Sequence, residues 1–233
     1  MKIAYLSTFY PFRGGIAQFN ASLYRALEKN HEVRAFTFKR QYPDLLFPGR
    51  SQYVQENDKV DMIPSHQVLD TINPLSYFTA ARIIRKYNPD LLLMKYWMSF
   101  FAPSLGYVAK KIKGRAQVIS ILDNVIPHEK RIFDKPFTRF FLKQNTGFIT
   151  MTKSVEDDLQ QLYPGARSIR KMHPIYDHFG TPVDQLEARD HLGIPRDKKV
   201  LLFFGFIRDY KGLDLLLETF SKLGKDYHLL IAG

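Results

Sequence analysis

The chain has 233 residues, a formal net charge of +11, 45% hydrophobic residues and 24% charged ones, and no cysteine. That balance supports a packed core and excludes a disordered chain. The missing cysteines exclude disulfides and thiolate metal sites and suit a reducing, cytoplasmic compartment. No stretch reaches the ~18 consecutive apolar residues of a membrane span.

The first apolar run, "KIAYLSTF", reads as a strand and not as a signal peptide. A helix follows from about Ile16 to Glu28, with Phe19, Leu23, Ala26 and Leu27 on one face. "HEVRAFTF" is the next strand, and "PDLLFPGRSQYVQENDK" after it is a long excursion of the kind that forms a mobile loop. "SYFTAARIIRKY" is helical and stops at Asn88-Pro89. "DLLLMKYW" is a buried strand, "APSLGYVAKKI" a helix with basic residues in its last turn, and "AQVISIL" and "GFITM" are further strands. "SVEDDLQQL" is a helix capped by Ser154, and "SIRKM" is a short strand. "HPIYDHFGTPVDQLEARDHLGIPRDKK" has the turn residues of a connector around a short helix. "KVLLFFGF", "LDLLLETFSKL" and "YHLLIAG" close the chain as strand, helix and strand. Apolar strands alternating with helices predict an α/β, doubly wound parallel sheet that binds ligands beyond the carboxyl ends of its strands.

Two loops carry the chemistry. "YPFRGG", after the first strand, sets Arg13, Gly14 and Gly15 at the start of a helix. It is neither a dinucleotide fingerprint nor a Walker loop. Bare backbone and free helix N–H groups suit a phosphate, but a ligand-free tight turn accounts for the same residues. In "LLFFGFIRDYKGLDLLLETF", Arg208 and Lys211 lie between Gly205 and Gly212 in a second strand-to-helix loop. A forked cation and a point cation there suit a pyrophosphate; an ordinary charged surface loop is the alternative.

"FGFIRDYKGLDLLLETF" resembles the opening of the second domain of retaining glycosyltransferases of family four, on the GT-B fold. "IAYLSTFYPFRGGIAQFNASLYRAL" is similar to that family's first strand and glycine loop, and "FITMTKSVEDDL" to the segment before its inter-domain linker. The resemblance implies a Rossmann-like acceptor domain over 1–175, a linker over 176–198 and the start of a truncated nucleotide-sugar domain over 199–233. It implies Gly14, Gly15, Arg208 and Lys211 at the donor diphosphate, with Arg13 and Asn20 on the acceptor side. It implies transfer of a hexose from a UDP- or GDP-linked donor to a hydroxyl of a glycan or lipid-linked acceptor, with retention and without a metal or other cofactor.

Three departures accompany it. Phe206 stands where the family has a basic residue, so Arg208 must supply that charge. Asp123 stands near the position of the family's histidine and His128 follows five residues later. Either is a candidate catalytic contact to the sugar, and a capped turn explains them equally well. "RKMHPIYDHFG" replaces the family's linker pattern, so no role carries over to His173.

From Tyr107 to Lys143 nine Lys or Arg face three acids. This stretch suits an anionic surface, including the cytoplasmic face of a membrane, or a plain solvated face. Phe137, Phe140 and Phe141 beside Arg139 and Lys143 read either as a membrane-facing stripe or as core. Two rivals to the enzyme stand: a polyanion- or nucleic-acid-binding module, which lacks any recognised motif, and a catalytically silent GT-B scaffold. The last strand–helix–strand unit, residues 199–233, buries little surface by itself. It predicts a chain inactive alone, with self-association through that unit.

Overall fold

Seven parallel strands make the sheet of the first unit, Met1–Pro174. They are β1 (Lys2–Leu6), β2 (Glu32–Arg40), β3 (Ser65–Asp70), β4 (Leu91–Tyr96), β5 (Gln117–Leu122), β6 (Gly147–Thr150) and β7 (Ser168–Arg170). Their order in the sheet is β3-β2-β1-β4-β5-β6-β7. The structure is a computed structural model, in which residues 1–43, 51–56, 58, 60–126, 132–175, 180–205 and 207–232 are described. Among the described residues, five helices connect the strands: α1 (Gly15–Glu28), α2 (Pro74–Tyr87), α3 (Ala102–Ile112), α4 (Asp134–Lys143) and α5 (Lys153–Leu162). With right-handed crossovers, α1 covers one face and α2 to α5 the other. The fold is therefore the α/β, Rossmann-like, doubly wound parallel sheet that the alternating pattern predicts.

The period of two along a strand divides the residues between these faces. In β4, Leu92, Met94 and Tyr96 join the core under α2, α3 and α4. Leu93 and Lys95 fall on the α1 side. Tyr96 stacks on Phe141 at 4.3 Å and its hydroxyl meets Thr138 Oγ1 at 2.8 Å. That contact settles the three phenylalanines differently. Phe141 is core, Phe140 is half-buried over Gly106, and Phe137 is 40% exposed.

The structure corrects several expectations. β3, "SHQVLD", has no continuous apolar run because it is an edge strand with a half-solvated surface. Helix α4 buries Asp134, Thr138, Phe141 and Leu142 on one side, so two of its four buried positions are polar, while Lys135, Phe137, Arg139 and Lys143 are exposed. α5 is capped by Thr152, whose Oγ1 accepts from Val155 N, while Ser154 lies inside the helix. In α1 the buried residues are Phe19, Asn20 and Ala21, and Ala26 is exposed. Much of the excursion after β2 lies outside the described residues. Its described part is tied down: Val54 N donates to Pro11 O at 2.9 Å, and Phe12 stacks on Tyr53 at 5.3 Å.

The second unit, Ile175–Gly233, holds α6 (Gln185–Leu192), β8 (Lys199–Phe204), α7 (Leu213–Phe220) and β9 (Tyr227–Ala232). Asp184 caps α6 by accepting from Leu186 N at 2.8 Å, and Gly193 ends it in the left-handed region. β8 and β9 pair in parallel, as a crossover through α7 requires. Large apolar side chains of this unit remain exposed, among them Phe204 at 79% and Leu215 at 65%.

Candidate functional site

β1 and β4 are neighbours, and the chain leaves them in opposite directions across the sheet. Beyond their carboxyl ends lies the crevice that this topology offers to ligands. The β1–α1 loop forms one wall. Asn20 holds it from beneath: its Nδ2 donates to Ser7 Oγ (2.9 Å) and Thr8 O (2.8 Å), and its Oδ1 accepts from the Tyr5 hydroxyl (2.6 Å). Asn20 is fully buried and its amide is saturated by these bonds. It shapes the loop and has no surface to offer an acceptor, contrary to the role implied by resemblance.

Gly14 has φ 107° and ψ 173°, a conformation that L side chains rarely adopt, and it precedes α1 without any side-chain cap. A Cβ at Gly14 or Gly15 would meet no atom within 4 Å, so both backbones face open space. Arg13 is exposed, donates its N–H to Gln52 O at 3.0 Å and pairs with Asp58 at 3.4 Å.

A second cluster lies at the ends of β4 and β5, beside β1 in the sheet. Lys95, 2% exposed, donates from Nζ to Asp123 Oδ1 at 2.7 Å. The same ammonium lies 3.6 Å from the centre of the Phe19 ring, and Phe19 packs on the exposed His173 at 5.3 Å. Burial pushes the Lys95 ammonium down and the Asp123 carboxyl up from their ordinary values, and their mutual attraction opposes both shifts. His173 also favours the Asp123 carboxylate. Burial, reinforced by the Asp123 charge, holds the Tyr5 phenol well above its ordinary range. Asp123, just past the carboxyl end of β5, keeps about a fifth of its side chain accessible. Two buried hydroxyls at the same edge of the sheet, Thr8 Oγ1 and Thr150 Oγ1, lack a hydrogen-bond partner among the described residues. Among these residues, no group of three or more His, Asp or Glu side chains is arranged to hold a metal ion.

Sequence reading missed Lys95, Phe19 and His173 as members of this cluster. Lys95 left a signal: it is the one charge in the run "LLLMKY" of β4. A lysine in a strand buried on both faces needs a partner. Its partner is 28 residues away, which no local pattern specifies. His128 lies outside the described residues, so Asp123 alone of the two catalytic candidates has a place here.

The second loop belongs to the second unit. Arg208 precedes a 3-10 turn, Asp209–Lys211, and Gly212 at φ 65° opens α7. Gly205 has φ 108°, and a Cβ there would sit 2.8 Å from Lys211 Nζ. Glycine at 205 thus makes room for the lysine ammonium at the end of β8. Arg208 and Lys211 are both exposed and share one turn. Phe206 lies outside the described residues.

The profile of Glycosyltransferase Family 4 matches residues 13–177. Sucrose-phosphate synthase from Thermosynechococcus elongatus superposes on the whole chain with a TM-score of 0.68 at 15% identity, and the chain spans 62% of that structure. The S. aureus MnaA–UDP co-structure gives a TM-score of 0.58 at 13% identity over 100% of this chain and 62% of that one. UDP-GlcNAc 2-epimerase from Neisseria meningitidis, bound to UDP-GlcNAc, gives 0.58 at 12% identity over 100% and 66%. These likenesses show the GT-B fold, of which the second Rossmann-like domain is present in part. No curated protein matches the sequence.

Proposed function

This chain belongs to glycosyltransferase family 4, and from that premise we propose that it serves transfer of a hexose from a nucleoside diphosphate sugar to a hydroxyl of a glycan or lipid-linked acceptor, with the anomeric configuration retained. The observation that carries this reading is the family match running over the glycine loop and the β4–β5 cluster, both at the switch point of the sheet. Breaking the bond between the anomeric carbon and the phosphate oxygen leaves negative charge on the diphosphate. Arg208 and Lys211 are the cations assigned to that charge; in the first unit, the bare backbone at Gly14 and Gly15 suits the close approach of an anion. Asp123 lines the acceptor side, held in one orientation by Lys95. Its accessible oxygen accepts a hydrogen bond from a sugar or acceptor hydroxyl. The nucleotide-sugar is a substrate, UDP- or GDP-linked.

A catalytically silent scaffold is the second reading, favoured by the Lys95–Asp123 pair. The carboxylate at the position of the family histidine is already committed to a buried cation. Ligand-observed NMR with a panel of UDP- and GDP-hexoses tests the donor assignment. We expect saturation transfer to the base and ribose protons of one nucleotide class; no transfer to any donor contradicts the assignment. Where a glycoside forms, its anomeric coupling should match that of the donor. Binding without a product in the presence of glycan and lipid-linked acceptors supports the scaffold.

A further inference from the structure

We propose that the outer surface of α2, α3 and α4 is a docking face for an anionic lipid bilayer. These helices pack side by side, α2 on α3 and α3 on α4. Together they carry eight cations: Arg82, Arg85 and Lys86; Lys110 and Lys111; Lys135, Arg139 and Lys143. All eight are exposed. Their one acid is Asp134, which is buried and accepts a hydrogen bond from Ser99. The face therefore presents positive charge with no exposed carboxylate of its own.

Helix dipoles do not account for this pattern. A dipole favours acids in the first turn as much as bases in the last. α2 and α3 have no acid in the first turn. The surplus of cations is a property of the surface.

An apolar strip crosses the same face. Leu75 is 75% exposed and Phe78 55%. Phe78 meets Tyr107 of α3 at 4.7 Å, Gly106 beside it lies against Phe140 of α4, and Phe137 continues the strip one turn away. Aromatic and aliphatic side chains between cations are the composition of a surface that lies in the headgroup layer, its rings and methyls buried and its ammonium groups at the phosphates. A second copy of the chain is a poor occupant, since two such faces would set like charges against each other. A nucleic acid would engage the cations but leave Leu75 in water. This surface stands apart from the crevice beyond β1 and β4, so the inference does not rest on the proposed reaction.

Co-sedimentation of the chain with vesicles tests it. We expect pelleting with phosphatidylcholine vesicles containing 30% phosphatidylglycerol, and little with phosphatidylcholine alone. A basic residue at an anionic surface contributes roughly five-fold to partitioning. Lys110→Glu with Lys111→Glu should therefore weaken binding about ten-fold or more. Leu75→Ser with Phe137→Ser should weaken it independently of salt. Lys29→Glu with Lys39→Glu, on exposed positions just after α1 and in β2, should leave binding within about two-fold; circular dichroism confirms that each variant is folded. Failure to pellet overturns the proposal. So does equal loss in the Lys29/Lys39 variant, which would mean net charge alone. Displacement from vesicles by duplex DNA, with tighter binding to the DNA, would assign the face to nucleic acid and overturn it as well.

Discussion

The Lys95 ammonium has 2% of its surface exposed, and among the described residues Asp123 and the Phe19 ring compensate its charge. Removing one member of such a pair strands the other, at about 3–5 kcal/mol. Lys95→Met should lower stability by an amount in that range, measured by urea unfolding. The deficit should depend on pH. Without the ammonium, the Asp123 carboxyl rises further above its unfolded value, so the native state takes up a proton more readily than the unfolded one. A raised carboxyl favours the native state once protonated and loses that advantage as pH rises through the folded value. The gap to wild type should therefore be widest near neutrality and narrow towards about pH 5; a pH-independent deficit would mean a packing defect. The two glycines separate in the same way. Gly15 has ordinary helical geometry and open space, so Gly15→Val should stay within about 1 kcal/mol of wild type yet weaken nucleotide-sugar binding about ten-fold or more. Gly14→Val, at φ 107°, should also lose stability. Wild-type affinity in Gly15→Val would reduce the loop to a turn.

The start of α5 is set by a single hydroxyl. Thr152→Ala removes the hydrogen bond to Val155 N and should cost about 1 kcal/mol, a fall in Tm of roughly 2–4 °C for a domain of this size. Ser154→Ala should be close to neutral, and the reverse result would restore Ser154 as the cap. Both residues are adequate caps by type, so the sequence could not choose between them; the backbone of Thr152, extended at φ −135°, does. The same contrast explains what was legible elsewhere. β1, β4 and β5 are covered on both faces, and their apolar runs announce them. β3 sits at the edge, needs cover on little of its length, and its "SHQVLD" looks like a loop. The two glycine-bearing turns were readable because positive φ demands glycine locally. The Lys95–Asp123–Phe19 cluster was not, because it joins three elements distant in sequence through contacts that only the sheet order creates.

At the scale of the whole chain, charge and topology point to anions in two places: the crevice at the switch point and the broad face of α2, α3 and α4. The proposal that matters most is that the second unit's Arg208–Lys211 turn serves a nucleoside diphosphate. Charge-assisted hydrogen bonds of the kind assigned to Arg208 and Lys211 contribute roughly 1.5–3 kcal/mol each, and 1.4 kcal/mol is a factor of ten in affinity. Isothermal titration of UDP and GDP into the protein, and into Arg208→Ala with Lys211→Ala, tests that claim most directly. Saturable binding of one of the two nucleotides is expected, with a loss of at least about ten-fold in the double variant. Unchanged affinity in the double variant, or no binding of either nucleotide to the wild type, would contradict it.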